Sequence, residues 1–198
     1  MTPDLILALT GFAIATTFSP GPNNVMLMAS GANFGLRRSV PHMAGIGLGV
    51  MSLVAGAGAG LGRLFDLWDW LRPVMAVAAG LYLLYLAWRI ATAAPKLRGA
   101  EPAGRPLTLL QAAAFQWVNP KAWAMALSAT TLYLPDRSMG TLAVGVLVFG
   151  LVSVPSTLLW TSFGQQVGRW LTSTARLRAF NAVMAGLIVL SLVPILIA

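Results

Sequence analysis

The sequence predicts an all-α polytopic membrane protein, six transmembrane helices arranged as two inverted three-helix repeats with the first and fourth helices broken. Three observations predict it. Of the 198 residues, 58% are apolar and only 9% are charged, whereas soluble globular domains carry roughly 25% charged residues. So few charges cannot coat a chain of this size, and lipid is the solvent that the rest must face. The charged residues fall in short breaks between long apolar stretches. Two of those stretches are interrupted by Pro- and Asn-rich motifs whose prolines, Pro20 and Pro120, sit at matching places in the two halves of the chain.

Each span follows from length and charge. A spanning helix needs roughly 20 mostly apolar residues, with about 17 as the lower bound. Residues 5–36 carry no charge but are interrupted at Ser19-Pro20-Gly21-Pro22-Asn23-Asn24. The chain opens Met1-Thr2-Pro3-Asp4, acidic where a cleavable signal needs positive charge, so the first stretch reads as a retained helix. Residues 39–62 form the second span. Residues 73–88 are short for a third, and Arg72 and Arg89 lengthen it by snorkelling. Residues 107–134 form the fourth, with Lys121 as an internal charge; 138–168 and 179–198 form the fifth and sixth. Helices satisfy their own backbone in lipid, and the alternating segments of roughly ten residues that make a barrel are absent.

The expected organisation is one transmembrane domain over 1–198, with repeat one at 1–92, a Pro/Gly-rich cytoplasmic connector at 93–106 and repeat two at 107–198. The odd-numbered loops hold Arg37, Arg38, Arg89, Lys96, Arg98, Arg105, Arg169, Arg176 and Arg178, against Arg63, Arg72 and Arg137 in the even ones. That bias puts the odd loops in the cytoplasm and both termini on the periplasmic side. Trp68 and Trp70 then mark the outer interface, and Trp88 and Trp170 the inner one. The net charge of +8 is spread through these loops rather than gathered into a phosphate-tracking stripe, so no nucleic-acid partner is expected. There is no cysteine, which excludes disulfides, thiol catalysis and Cys-ligated metals. No paired acids or histidine-centred base are visible, so no catalytic residue, metal site or cofactor is expected.

The two halves echo each other. Residues 76–86 and 182–192, in the third and sixth spans, share seven of eleven positions at an offset of 106. Three spans per half means that the second half enters the membrane from the opposite side. Paired Gly/Pro interruptions at corresponding places in such halves point to a binding site near the bilayer midplane. Proline removes a backbone N–H and clashes with the carbonyl one turn earlier. Groups freed in hydrocarbon cost several kcal/mol each unless a partner is found, and a polar substrate is such a partner. Asn23, Asn24 and Asn119 add donors and acceptors at the same depth. An isolated break of this kind is an ordinary kink; two in corresponding helices, both rich in asparagine, favour a site.

Lys121 lies near the middle of the fourth span, while Asp4, Asp66, Asp69, Glu101 and Asp136 all lie near ends or in loops. A buried charge costs about 2.5–3.5 kcal/mol on insertion scales and is rarely idle. Without a carboxylate partner in the chain, Lys121 is expected to meet a substrate carboxylate or to titrate during transport; the plainer alternative is snorkelling. Gly45, Gly47, Gly49, Gly56, Gly58 and Gly60, and Gly140, Gly145 and Gly150 in the fifth span, read as helix-packing positions. These small-residue faces leave room for a homodimer without demanding one. His42, the only histidine, reads as an interfacial residue at a cytoplasmic helix end. Tyr82 and Tyr85 read equally well as cavity residues and as lipid or helix contacts.

These residues resemble the LysE/RhtB amino-acid exporters. Ser19-Pro20-Gly21-Pro22-Asn23-Asn24, followed by Ser30-Gly31, Gly35-Leu36-Arg37-Arg38 and Gly45-Ile46-Gly47-Leu48-Gly49, looks like the first third of that family. Gln116-Trp117-Val118-Asn119-Pro120-Lys121-Ala122 looks like its second signature, and residues 80–89 fit its third helix. The resemblance implies a bacterial inner-membrane exporter of amino acids or close derivatives, driven by the proton gradient through alternating access. It implies Pro20, Gly21, Pro22, Asn23, Asn119, Pro120 and Lys121 as functional positions; Asn24 and Gln116, within the same motifs, complete the candidate substrate-binding set. The expected partners are a zwitterionic amino acid and the bilayer. Export of a metal cation or another small solute, and a non-transporting assembly role, are the alternatives. The metal reading is opposed by the lone histidine and the lack of a buried acid, and the assembly reading leaves Lys121 and the twin breaks unexplained.

Overall fold

A computed structural model describes residues 1–93, 104–134, 136 and 138–193. The greater part of the connector expected at 93–106, with Lys96, Arg98 and Glu101, lies outside the described residues, as do Arg137 and the last residues of the sixth span. The described residues are all-helical: α1 (Pro3–Phe18), α2 (Pro22–Gly58), a short 3₁₀ turn (Leu61–Arg63), α3 (Leu64–Leu67), α4 (Leu71–Ala91), α5 (Leu109–Val118), α6 (Pro120–Leu132), α7 (Met139–Trp170) and α8 (Thr174–Leu190). Three of them, α2, α4 and α7, are long and apolar enough to cross a membrane; α1 and α5 are shorter apolar helices. Leu7, Leu110, Leu151 and Met139 are each more than 70% exposed. An outward apolar surface of this kind is at home in lipid and a liability in water. All four tryptophans read as interface markers, Trp68, Trp70, Trp88 and Trp170, are exposed.

The fold centres on α2, whose 37 residues are not one rod. Gly35 has φ 77° and ψ 169°, a region that glycine enters without the Cβ penalty of other residues. Packing against α7 reveals the geometry on either side. On the first arm, 22–34, Met28 lies against Gly164 and Ala32 against Gly168, so that arm runs parallel to α7. On the second arm, 36–58, Gly58 lies against Leu142, Gly150 against Met51 and Gly47 near Ser153, so that arm runs antiparallel. The two arms therefore oppose each other and Gly35 is a hairpin turn, beside the Arg37-Arg38 pair that the sequence places in a loop. Ser30 and Ser39 hydroxyls meet at 2.8 Å across the turn, and the Leu36 N–H that begins the second arm donates to Gln165 Oε1 at 2.7 Å.

Glycines bring the backbones together. A Cβ on Gly31 would strike the Thr161 carbonyl and one on Gly164 the Met28 carbonyl, the close approach that small residues four apart allow in membrane helices. Gly45 and Gly49 admit α5 in the same way, Gly56 receives the Trp117 ring, and Gly145 faces Leu134. Two packing expectations fail. Gly60 is a left-handed turn residue (φ 96°) just past the helix end, and Gly140 sits in the exposed first turn of α7; a Cβ on either would meet open space. His42 also differs from expectation. It is 1% exposed, because Gly35 folds the second arm back into the bundle and carries His42 inside with it.

Candidate functional site

Both proline motifs break their helices. α1 ends at Phe18 and α2 begins at Pro22; α5 ends at Val118 and α6 begins at Pro120. A proline at the start of each new helix sacrifices an N–H that would be unpaired there anyway. The two breaks meet in space. Lys121 Nζ donates to Ser19 O at 3.0 Å, Ser19 Oγ at 2.8 Å and Pro20 O at 3.1 Å. Three acceptors match the three donors of an ammonium group. They also place a cation at the carbonyl end of a half-helix, where the helix dipole favours it. Among the described residues the one ion pair is Arg72 with Asp66, at 3.7 Å on the surface. The partner of Lys121 is thus backbone freed by the first break rather than a carboxylate, and its ammonium group points into the protein.

Gly21 makes this approach feasible. Its backbone is extended, which any residue adopts; what matters is space, because a Cβ there would lie 2.9 Å from Lys121 Nζ and 3.0 Å from its Cδ. The remaining carbonyls of the α1 end are met by side chains. Asn24 Nδ2 donates to Thr17 O and Ser19 O, both at 2.8 Å, and Ser156 Oγ to Thr17 O at 2.9 Å. Asn23 and Gln116 exchange hydrogen bonds at 2.8 and 3.1 Å, and Gln116 also donates to Ala112 O. That pair joins the first break to α5. Asn119 caps its own helix, Oδ1 accepting the Lys121 N–H at 3.1 Å, and Trp123 Nε1 donates to Trp117 O at 2.7 Å.

A small, partly open polar cavity lies beside the two breaks. Of the candidate residues, Gly21, Pro22, Asn23, Asn24, Asn119 and Lys121 line it. Pro20, Gln116 and Pro120 do not. Gln116 is fully buried behind Asn23; Pro20 reaches the site through its carbonyl and Pro120 through the helix start it sets. Tyr82 packs on Phe115, Tyr85 is exposed, and neither reaches this cavity. Motif reading missed the opposite wall, where Ser153, Ser156 and Thr157 of α7 face Thr16 and Thr17 of α1. A signal existed: three hydroxyls at i, i+3 and i+4 form one polar stripe in the middle of an uncharged span. The α2 start has no side-chain cap, so its first N–H groups remain available beside the cavity.

Apolar helices exposed outward, two half-helix breaks meeting inside, and a half-buried lysine whose ammonium bridges them beside a polar cavity define the class as membrane transporters of small polar solutes. The LysE type translocator family matches residues 14–196, and the chain belongs to that family, as a multi-pass membrane transport protein and not an enzyme. It is 30% identical over 198 residues, covering 96% of each chain, to proteins named cysteine/O-acetylserine efflux protein from Escherichia coli strain K12, Escherichia coli O9:H4 strain HS and Shigella sonnei strain Ss046. No solved structure matches it significantly.

Proposed function

We propose that this chain exports small zwitterionic amino acids or their close derivatives across a bacterial inner membrane by alternating access, driven by the proton gradient. The observation that carries the reading is Lys121 bridging the two breaks over the cavity. In this reading α1 with the first arm of α2 is one broken span and α5 with α6 is its counterpart. The second arm of α2, α4, α7 and α8 complete six spans in two inverted repeats, with both termini periplasmic. Rocking of one repeat on the other exposes the cavity to each side in turn.

The substrate carboxylate binds at Lys121 and the uncapped α2 start, both of which favour anions. Because the ammonium donors are already engaged by Ser19 and Pro20, the carboxylate takes over at least one of those contacts. The α1 end then loses its cation, which couples binding to movement of the first break. The substrate ammonium meets the freed carbonyls and the side-chain oxygens of Asn23 and Asn24. The hydroxyls of Ser153, Ser156 and Thr157 suit a short polar side chain, in keeping with the cysteine and O-acetylserine named for the relatives. A metal cation fits poorly, because the cavity lining offers neither carboxylate nor imidazole.

Counterflow in proteoliposomes tests this. Vesicles loaded with unlabelled L-cysteine, O-acetyl-L-serine or L-serine are expected to accumulate the labelled compound in the presence of the protein and not in its absence. No accumulation of any amino acid across a broad panel would remove the exporter reading.

A further inference from the structure

A second cavity, open to the outside, lies on the side of the Gly35 turn and takes no part in the mechanism above. Ser30 and Asn33 of the first α2 arm, His42 of the second, Arg89 of α4 and Arg105 ahead of α5 line it. His42 is 1% exposed, and among the described residues neither ring nitrogen has a hydrogen-bond partner. Buried polar groups are nearly always paired, and an unpaired one asks for a missing partner. The neighbours that might serve are engaged elsewhere: Ser30 with Ser39, Asn33 with Ala29 O and Asn181. The lining holds two arginines, Arg89 half-buried and Arg105 exposed, and among the described residues no carboxylate to balance them. Arg89 lies over the Tyr85 ring, 5.9 Å from its centroid, and spends one donor on a long 3.5 Å contact to Arg105 O, which leaves other donors of its fork for a ligand.

Position adds to the charge. His42, Ile46 and Val50 are four apart on one stripe of the second arm, and Ile46 and Val50 line the Lys121 cavity. Met26 and Ala29 similarly continue the first arm from Asn23. The two cavities are therefore stacked along the inside of the same hairpin, about one helical turn apart.

We propose that this second cavity is a carboxylate-binding site, in which Arg89, Arg105 and a ring N–H of His42 hold the carboxylate of the solute before it passes to Lys121. That the solute is an amino acid rests on the exporter reading; the charge and burial that select a carboxylate do not. Arg89 is the principal contact, and Arg105 and His42 orient the ligand beneath it.

Saturation-transfer NMR with acetate as the probe tests the site, using the full chain in phosphatidylcholine nanodiscs. The Lys121→Ala background removes the central cation. Acetate binding is expected to persist there, to weaken by about ten-fold or more with Arg89→Gln, and to recover with Arg89→Lys, as loss of a charge-assisted contact requires. His42→Leu is expected to weaken it by a smaller factor, and ethanolamine, which lacks the carboxylate, is expected not to bind. Unchanged acetate affinity in Arg89→Gln overturns the proposal, as does loss of all binding in Lys121→Ala alone. Displacement of acetate when phosphatidylglycerol is added overturns it too, because a lipid headgroup is then the occupant. Wild-type counterflow is scored separately: absent flux with acetate binding intact removes the exporter reading and leaves this site standing.

Discussion

The two breaks differ in how their loose ends are held. At the second, one residue leaves the helix, Asn119, and it caps the next helix itself. At the first, Ser19, Pro20 and Gly21 all lie outside helix, the following helix has no side-chain cap, and the freed carbonyls are met by Lys121, Asn24 and Ser156. Lys121 and Ser156 belong to the other half of the chain. The second break is thus closed locally, while the first is closed by contacts that a rearrangement of α6 or α7 would undo. Matching motifs in the sequence do not make matching structure: one break is held by its own residue and the other by side chains from the opposite half of the chain.

Substitutions can break or sharpen this contrast. The largest effect is expected from Lys121→Ala, which removes the cation shared by both breaks; flux in proteoliposomes should fall by at least about 100-fold, the scale of a lost partly buried charge contact, with membrane expression retained. Wild-type flux in that variant would end the proposed role of Lys121. Gly21→Ala comes next. Its methyl group would lie 2.9 Å from Nζ, so the ammonium must withdraw, and a flux loss of roughly ten-fold or more is expected for a displaced charge-assisted contact.

Asn24→Ala leaves the Thr17 and Ser19 carbonyls with one donor fewer each. Both carbonyls keep another donor, Ser156 and Lys121, so a stability loss of about 0.5–1.5 kcal/mol per lost bond is expected, read as a lower unfolding temperature in detergent together with impaired flux. The smallest effect is expected at the locally closed second break. Asn119→Ala should lose the cap, worth about 1 kcal/mol, and Asn119→Ser should restore it, with flux following stability in both. If Asn119→Ala instead abolished flux at unchanged stability, the second break would also be a moving part and the contrast drawn here would fail.

Much of the architecture was legible in the sequence, because hydropathy and proline are local signals. The breaks at Ser19–Gly21 and Asn119, the turn next to Arg37 and the packing role of Gly45, Gly49 and Gly58 all appear where those residues place them. Lys121 was legible as a cation within a span, since one charge in an apolar stretch stands out, but whether it turned inward or snorkelled was not. Its partner was not: no residue type marks a backbone carbonyl as free, and Ser19 and Pro20 are about a hundred positions away in the chain. The hydroxyl wall of α7 was hidden for a similar reason, as Ser and Thr in a membrane helix bond back to their own helix equally well, as Thr157 does with Ser153 O. His42 was misread because the direction of the chain after Gly35 decides whether that face turns in or out.

The sequence by itself determined that this protein lives in lipid, where its helices must stop, and that one cation falls within a span, because solvent preference and backbone chemistry act residue by residue. Only the tertiary structure decided what that cation touches, which of two similar breaks is held from a distance, and that the lone histidine is enclosed beside two arginines. Those outcomes depend on how the α2 hairpin packs against α5, α6 and α7, and packing is a property of pairs of segments that no single stretch of sequence carries.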